Sequence, residues 1–553
     1  MNALIWIIGG YGLLALSHFV LKKPTERIMS PDPNLKTPAM LSADSRDYAK
    51  NHAVIVAGQY FMAIAGLSPI LSAIMGLYWG WLPALLWMLI GVAFLGTPTE
   101  YINIMASVRN KGATMGEIVR KVIGNASGIY AALSLWFIGT ITYAIFMNTM
   151  AKTMVTVPMA AIPTISLTLI AMLFGYTRNK FNIPILSGTI TALILWGITI
   201  YMGICYPLSI TYNQWVVGLI IYTLVAAYLP VWLILAPRDF LNSGVLIFGV
   251  LIVTIALLVG IPSFKFPSFV GWETARGLLW PAIMATITCG AINAAHCMIS
   301  AGIVSRQLDN EKHAYSVVSF GTKGETILAL ATIALVATQV DYTTFTTMVV
   351  KNPGGTFSQA FATAGNGYLG IPLQTGLTMG ALTLTGFIIT TMDAYARSAR
   401  YCLEELARQI RPLGALRLEK PICSTFFVVL IGTWLALKTP FSQLWAGFAL
   451  CSLTFAIYPY SVVLINRLEE KKPFNGHFYK WIIIPGSFMW VSSLGALLFF
   501  MSKFYRTNEW IALVMSIAIF ILFALSTIQI YTRIKNVRKD IDNQLNFAQG
   551  GVN

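Results

Sequence analysis

Long apolar runs alternate with short polar stretches along almost the whole chain. The runs recur at about 20 residues, the length that a helix needs to cross about 30 Å of hydrocarbon. A transmembrane β-barrel would instead show short segments in which apolar and polar residues alternate. The pattern therefore predicts an all-α polytopic membrane protein with about fifteen transmembrane helices. We place these helices near residues 3–21, 52–75, 79–97, 128–150, 158–176, 183–205, 215–236, 244–262, 279–303, 324–340, 371–393, 421–438, 440–465, 479–502 and 509–531.

The basic residues of the loops support this count and orient the chain. With the N-terminus outside, all but seven of the 37 Lys and Arg fall in inside loops, as the positive-inside rule requires. The seven outside residues are Lys152, Lys265, Arg276, Lys351, Lys438, Lys503 and Arg506. We therefore expect a cytoplasmic C-terminus. We also expect the first helix to be retained, because Lys22 and Lys23 follow it, whereas a signal peptide carries its charge in front.

Composition agrees with a membrane protein and argues against other classes. Of 553 residues, 57% are hydrophobic and 10% charged, whereas soluble domains carry about 25% charged residues. The net charge of +16 follows from basic inside loops and does not indicate a nucleic-acid partner. The six cysteines show no CxxC spacing, and HExxH, GxSxG and Walker motifs are missing. We therefore expect neither an enzyme nor a metal site, a cofactor or ATP-driven transport.

The second apolar run is interrupted where a membrane helix should be continuous. It reads HAVIVAGQYFMAIAGLSPILSAIMG, with Gly66 and Pro69 near its middle. Proline removes a backbone donor and glycine leaves helical geometry easily. In lipid such backbone is tolerated where it faces protein or a wet cavity. A proline kink that serves only packing is the alternative interpretation.

A second interruption favours a functional role for the first. Pro230 lies near the middle of the run IYTLVAAYLPVWLILAPRDF, five helices further along the chain. Because five spans, an odd number, lead from one break to the next, the second set of helices would cross the membrane in the opposite direction to the first. The two breaks would then occupy matching positions of two inverted five-helix units, as in transporters. The predicted divisions are an N-terminal helix and loop (1–51), the two units (52–205 and 206–410), and four additional helices with a cytoplasmic tail (411–553).

The breaks predict a binding site near the midplane, where half-helix ends and exposed backbone groups meet a small solute. The expected binding residues are Gln59, Tyr60, Ala65, Gly66, Ser68, Tyr228, Trp232 and Asn293, and Pro69 and Pro230 make the breaks. The outside stretch 341–370 is rich in Gly and Thr. We expect it to be a slack loop, with a lid as the alternative.

Ionisable residues at membrane depth are candidates for proton coupling. His296 follows Asn293 by three residues, which places both on one face of a helix, and it can carry a proton near neutral pH. A histidine held by a structural hydrogen bond is the alternative.

Three acidic residues are further candidates, and each has a structural alternative. Glu100 would be solvated at the inner membrane surface. Glu325 would stabilise a helix N-terminus. Asp393 would pair with Arg397 one turn later in the helix.

Four blocks of the sequence resemble the carbon starvation protein family, the CstA transporters. The most specific is YLPVWLILAPRDFLNS, residues 228–243. Family blocks also match ITCGAINAAHCMISAGIVSRQL (287–308), NKGATMGEIV (110–119) and MDAYARSARYCLEEL (392–406), in the family's order. The resemblance covers the chain from about His52 to Leu406.

This resemblance implies a secondary transporter of the cytoplasmic membrane, similar to the amino acid–polyamine–organocation superfamily with its LeuT-like five-plus-five inverted repeat. It implies uptake of peptides or of pyruvate, with protons. At matching positions it points to His296, Glu325, Asp393, Arg238 and Asp239. Glu100 stands where the family has an Asp.

Two departures bear on substrate and coupling ion. Gly58-Gln59-Tyr60-Phe61 replaces the family's Gly-His-His-Phe, so no titrating role is carried over there. The run LWAGFALCSLTFA lacks the Asn-Gln pair of relatives. Acidic side chains near the midplane would favour a peptide, whose amine needs an acceptor, and their absence would favour pyruvate. Proton or sodium coupling and the oligomeric state stay open, and a membrane sensor or scaffold subunit that binds solute without moving it is the alternative function.

Overall fold

The computed structural model describes residues 2–41, 48, 50–181, 183–228, 235–410, 412 and 416–550. It is an all-α fold, as the apolar runs predict. The described part of the chain holds one small sheet, an antiparallel pair of Glu273–Thr274 and Gly277–Leu278.

The helices of the first half of the chain are numbered here in chain order. They are α1 Ala3–Val20, α2 Lys22–Met29, α3 Pro38–Leu41, α4 Ala53–Ile64, α5 Leu67–Gly76, α6 Trp81–Gly91, α7 Thr97–Arg109, α8 Met115–Val122, α9 Asn125–Thr156, α10 Ala161–Phe181, α11 Ile185–Cys205, α12 Tyr212–Tyr228 and α13 Leu235–Gly260. A π-helical turn, Val92–Gly96, joins α6 to α7.

The second half continues in the same numbering. Its helices are α14 Leu279–Thr286, α15 Cys297–Ser300, α16 Ala314–Gln339, α17 Tyr342–Lys351, α18 Pro353–Leu369, α19 Leu373–Gln409, α20 Pro421–Lys438, α21 Phe441–Phe455, α22 Ile457–Glu469, α23 Gly476–Phe478, α24 Ile484–Arg506 and α25 Trp510–Gly550. A π-helical turn, Tyr479–Ile483, joins α23 to α24.

Eleven helices of the described residues are long and apolar enough to cross a membrane, and twelve if a bent pair is one span. The bent pair is α4 with α5, which meet at an angle of 52°. Shorter apolar helices at Tyr212–Ala227, Gly244–Gly260 and Cys297–Arg306 fall where the seventh, eighth and ninth spans were predicted. The structure is therefore a multi-pass membrane protein, and the count of fifteen stays a prediction.

The first interruption lies where Gly66 and Pro69 predict it. Helix α4 ends at Ile64, and α5 begins at Leu67 after Ala65 and Gly66. A Cβ atom on Gly66 would lie 2.8 Å from Oγ1 of Thr391, so only glycine allows α19 to approach this closely. All residues of α5 are buried, so the break faces protein.

The ninth predicted span is also interrupted, which the apolar pattern does not predict. Helix α14 ends at Thr286, and a turn leads to the short 3-10 helix Ala294–His296 before α15. Gly290 has a φ of +82°, a conformation that residues with a Cβ rarely adopt. Asn293 precedes the 3-10 helix, so the expectation that it shares a helical face with His296 is wrong.

The stretch 341–370 is helical, not a slack loop. Helices α17 and α18 occupy it, and Asn352 between them caps α18 by accepting a hydrogen bond from the N–H of Gly355. Asn side chains favour this cap position because they satisfy a free backbone donor. Phe345 and Phe361 are fully buried, so the pair is part of the packed body.

Two long helices, α9 and α19, pack against each other at the centre of the molecule. A Cβ on Gly139 would lie 2.8 Å from the Cβ of Ala399, and such small residues let membrane helices approach closely. Peripheral helices expose apolar side chains instead, as α11 does with Ile194 and Ile198. These exposed aliphatic surfaces suit contact with lipid.

Candidate functional site

Side chains from distant helices satisfy the carbonyl groups that the interruption of the ninth predicted span, at Ile287–Asn293, leaves free. The indole N–H of Trp87 donates to the carbonyl of Ile287 at 3.0 Å, and that of Trp445 donates to Thr286 at 3.1 Å. The hydroxyl of Thr326 donates to the carbonyl of Gly290 at 2.9 Å. Because unpaired backbone groups are costly in a membrane, these donors stabilise the open segment.

The interruptions at Gly66 and at Ile287–Asn293 face each other. The side chain of Ser68, at the start of α5, lies close to that of Cys289, in the open segment. A Cβ on Gly76 would lie 2.3 Å from Cδ1 of Ile287. The structure thus brings the first break against the interrupted ninth segment. The second break predicted from sequence, at Pro230, lies outside the described residues.

Glu100 connects both interrupted segments through one carboxylate. Its Oε2 accepts hydrogen bonds from the hydroxyl of Tyr60 on α4 at 3.1 Å and from Ser300 on α15 at 2.9 Å. Its Oε1 accepts from the amide of Asn103 at 3.4 Å. Glu100 is 2% exposed, so the solvated position at the membrane surface is wrong. Among the described residues no Lys, Arg or His forms an ion pair with it.

A second buried cluster joins Cys289, His296 and Glu325. The Nε2 atom of His296 lies 3.6 Å from Oε1 of Glu325 and 3.9 Å from Sγ of Cys289. All three possible ligand atoms lie within 4.8 Å of one another. Glu325 is the twelfth residue of α16, which begins at Ala314, about three turns into the helix, so the expected role at a helix N-terminus is wrong.

Asp393 is bound by an arginine from another helix. The guanidinium of Arg238 on α13 donates from Nη1 and Nη2 to the two carboxylate oxygens, at 2.9 and 3.2 Å. Arg238 also pairs with Asp239 at 3.1 Å and contacts the hydroxyl of Tyr222. Both Arg238 and Asp393 are fully buried, so this bidentate pair joins α13 to α19.

Arg397, the partner expected for Asp393, bonds elsewhere. Its Nη2 donates to the carbonyl of Ala226 at 2.8 Å, and Arg400 donates to Ala227 at 3.3 Å. Both carbonyls belong to the last turn of α12, where cations favourably meet the negative end of the helix dipole. These bonds tie the inner half of α19 to the end of α12.

The predicted binding residues are brought together only in part. Tyr60, Ala65, Gly66, Ser68 and Asn293 are buried beside the two interruptions. Gln59 is exposed, whereas its neighbour Tyr60 is buried. Pro69 lies buried in the first turn of α5. Trp232, Pro230 and the side chain of Tyr228 lie outside the described residues.

Sequence reasoning missed several residues of the site, chiefly Cys289, Ser300, Tyr222 and Ser452. The hydroxyl of Ser452 donates to Asn293, and the amide of Asn293 donates to Sγ of Cys289. Cys289 precedes Asn293 by one helical turn, which was the available signal. Ser300 and Ser452 carry no signal, because serine is common in membrane helices.

The family model "Carbon starvation protein CstA" matches residues 2–364, which include both interruptions, Glu100, and the cluster of Cys289, His296 and Glu325.

Named relatives of the chain are transporters. The "Peptide transporter CstA" of Bacillus subtilis is 27% identical over 560 residues, with 89% of each chain covered. The "Pyruvate/proton symporter BtsT" of Escherichia coli is 29% identical, covering 57% of this chain and 46% of its own length. The "Peptide transporter CstA" of Escherichia coli is 28% identical, covering 60% of this chain and 50% of its own. The chain therefore spans about half the length of these two Escherichia coli relatives.

Proposed function

The chain belongs to the carbon starvation protein CstA family, and from this premise we propose that it is a secondary active transporter of the cytoplasmic membrane. It imports a peptide, or a small carboxylate such as pyruvate, by alternating access, and protons drive the uptake. The observation that carries this proposal is the meeting of two interrupted membrane segments, at Gly66 and at Ile287–Asn293, with polar side chains between them. Interrupted helices that meet in this way are typical of transporter binding sites.

The order of elements supports two related units. Each interrupted segment is followed by a helix, then by one or two shorter helices, then by one of the two long central helices. In the first unit this order is α4–α5, α6–α7, α8 and α9, and in the second it is α14–α15, α16, α17–α18 and α19. We therefore begin the second unit near Leu279, whereas the sequence pattern places its start at residue 206. Four described helices, α10 to α13, separate α9 from α14.

A buried acidic residue favours a peptide as the substrate. Glu100 is buried beside the interruptions. The amine of a peptide needs an acceptor of this kind, whereas pyruvate has no amine. The free N–H groups at the start of α5 would face the substrate carboxylate, since a helix N-terminus attracts anions.

Among the four coupling candidates, Glu100 is the proposed proton carrier. Asp393 is neutralised by Arg238, and His296 and Glu325 share a cluster with Cys289. Glu100 is held by neutral donors, with Cys297 and Glu325 as the other titratable groups nearby. Protonation turns one of its oxygens into a donor. The hydroxyls of Tyr60 and Ser300 then lose part of their shared acceptor, which loosens one interrupted segment from the other.

The test is uptake by the purified protein in liposomes, with a labelled dipeptide and labelled pyruvate under an imposed pH or sodium gradient. We expect a proton gradient, acid outside, to accelerate dipeptide uptake. Glu100→Gln should abolish this acceleration but keep exchange of internal for external substrate, because exchange needs no net proton transfer. Glu470→Gln, at an exposed acid, is the matched control. Saturable binding without uptake would support the sensor or scaffold instead, and gradient-driven uptake by Glu100→Gln would remove Glu100 from the coupling step.

A further inference from the structure

The cluster of Cys289, His296 and Glu325 has the composition of a metal site. A thiolate, an imidazole and a carboxylate are all ligands of Zn²⁺. Zn²⁺ bonds of about 2.0–2.3 Å at tetrahedral angles hold ligand atoms about 3.3–3.8 Å apart. The observed separations of 3.6 Å and 3.9 Å from Nε2 of His296 are within a few tenths of an ångström of that range.

One oxygen of the cluster has no hydrogen-bond partner. Glu325 is 2% exposed, and its Oε1, the atom nearest His296, accepts no hydrogen bond among the described residues. The Gly290 backbone and the Cys289 side chain also lie close to the Glu325 carboxylate. A buried carboxylate oxygen without a donor is costly, and its position beside a thiol and an imidazole points to a cation as the missing partner.

The charges of the cluster also fit a divalent cation. A thiolate at Cys289 and a carboxylate at Glu325 together carry two negative charges, and His296 binds metal as a neutral imidazole. One Zn²⁺ makes the whole group neutral, which is the condition that burial within a membrane favours. No arginine or lysine forms an ion pair with Glu325 among the described residues.

The surroundings of the cluster support metal ligation. The amide of Asn293 donates to Sγ of Cys289, and Ser452 donates in turn to Asn293. Hydrogen bonds of this kind orient metal ligands and stabilise a thiolate. Cys289 and His296 lie on the interrupted segment and Glu325 on α16, so a bound ion would fix the open backbone to that helix.

We propose that Cys289, His296 and Glu325 bind one Zn²⁺ ion, with the fourth tetrahedral position left to water. The proposal departs from the sequence motifs, which predict no metal, because its ligands are 7 and 29 residues apart in the chain and no contiguous motif joins them. It does not depend on the proposed transport activity. Zn²⁺ is named over Ca²⁺ or Mg²⁺ because the latter take oxygen ligands.

The test measures metal in the full-length protein purified in detergent without chelator or added metal. We expect about one equivalent of zinc per chain by mass spectrometry. After chelation, CoCl₂ should restore about one equivalent of metal and produce the near-ultraviolet thiolate-to-cobalt absorption band. Absence of both signals from the wild-type protein overturns the proposal, whatever the variants do.

Variants then assign the ligands. Cys289→Ser should lose the cobalt band, and His296→Ala and Glu325→Gln should lose most of the bound zinc. Asn293→Ala keeps all three ligands and should weaken zinc binding about 10–100-fold. Cys451→Ser, at another buried thiol, is the matched control and should retain zinc and band. Retention of the cobalt band by Cys289→Ser, or its loss in Cys451→Ser, would contradict this assignment.

Discussion

The buried acidic residues differ in their partners, and the partners decide what each residue can do. Asp393 faces a guanidinium that neutralises it through two hydrogen bonds. Glu100 faces two hydroxyls and an amide, which can bind either of its protonation states after a small rearrangement. From this difference we propose a structural role for Asp393 and a role in proton transfer for Glu100.

We expect Asp393→Asn to lower the stability of the protein by about 3–5 kcal/mol, because it leaves the buried Arg238 without its main anionic partner. Thermal unfolding in detergent, followed by tryptophan fluorescence, measures the change. Glu470→Gln breaks the exposed pair with Lys472 and should cost less than about 1 kcal/mol. Equal unfolding temperatures of the two variants would contradict the structural role of Asp393.

At the residue scale, the sequence identifies the acidic residues within apolar runs but does not predict their contacts. Glu100, Glu325 and Asp393 stand out as charges within apolar runs. Their partners Ser300, Cys289 and Arg238 come from distant parts of the chain, and a single sequence gives no signal for such pairings. The local interpretations were solvent for Glu100, a helix N-terminus for Glu325 and Arg397 for Asp393. In the structure, each of the three acidic residues instead contacts a residue far away in the chain.

At the scale of elements, the two interruptions of the structure differ in how clearly the sequence predicts them. The first contains Gly66 and Pro69, which both disfavour a continuous helix. The second, at Ile287–Asn293, contains no proline, and indole donors from Trp87 and Trp445 satisfy its free carbonyls. Those donors lie on other helices, so the run of apolar residues through 279–303 predicts an unbroken span.

We expect Gly66→Ala to impair uptake and to destabilise the protein, because its new Cβ would lie 2.8 Å from Oγ1 of Thr391. Gly58→Ala on the same bent pair is the matched control, since a Cβ there meets no atom within 4 Å. The replacement at Gly58 should stabilise the helix by up to about 1 kcal/mol. Uptake and thermal unfolding are measured for both.

A double variant separates steric crowding from loss of backbone freedom. Thr391→Ala removes both atoms that would crowd the new methyl group, and the φ of Gly66 is −64°, which alanine also adopts. Gly66→Ala with Thr391→Ala should therefore recover most of the lost stability. A double variant as unstable as Gly66→Ala alone would contradict the crowding argument.

At the scale of the whole molecule, the charge of the loops orients the chain. The exposed apolar surfaces of α11 and its neighbours mark a lipid-facing belt, and basic residues gather on the side of Arg109, Lys121 and Arg533. We propose, from the positive-inside rule, that this side is cytoplasmic and that the N-terminus lies outside.

Cysteine labelling tests this orientation. In a variant without the native cysteines, Thr507→Cys should react with a membrane-impermeant maleimide in intact cells, since the turn after α24 is exposed and predicted to lie outside. Glu470→Cys should react only after the membrane is permeabilised. The reverse result would invert the topology, and labelling of both positions in intact cells would contradict an odd number of spans between the exposed loops.

The longer of the two central helices, α19, connects the break at Gly66 to the C-terminal end of α12. Helix α19 has 37 residues, which gives a length of about 55 Å, well beyond the thickness of the hydrocarbon layer. Thr391 lies against Gly66, and Arg400, nine residues further along α19, donates a hydrogen bond to the end of α12. Because the helix is continuous between these two contacts, a tilt of α19 that widens the space at Gly66 would also displace the end of α12.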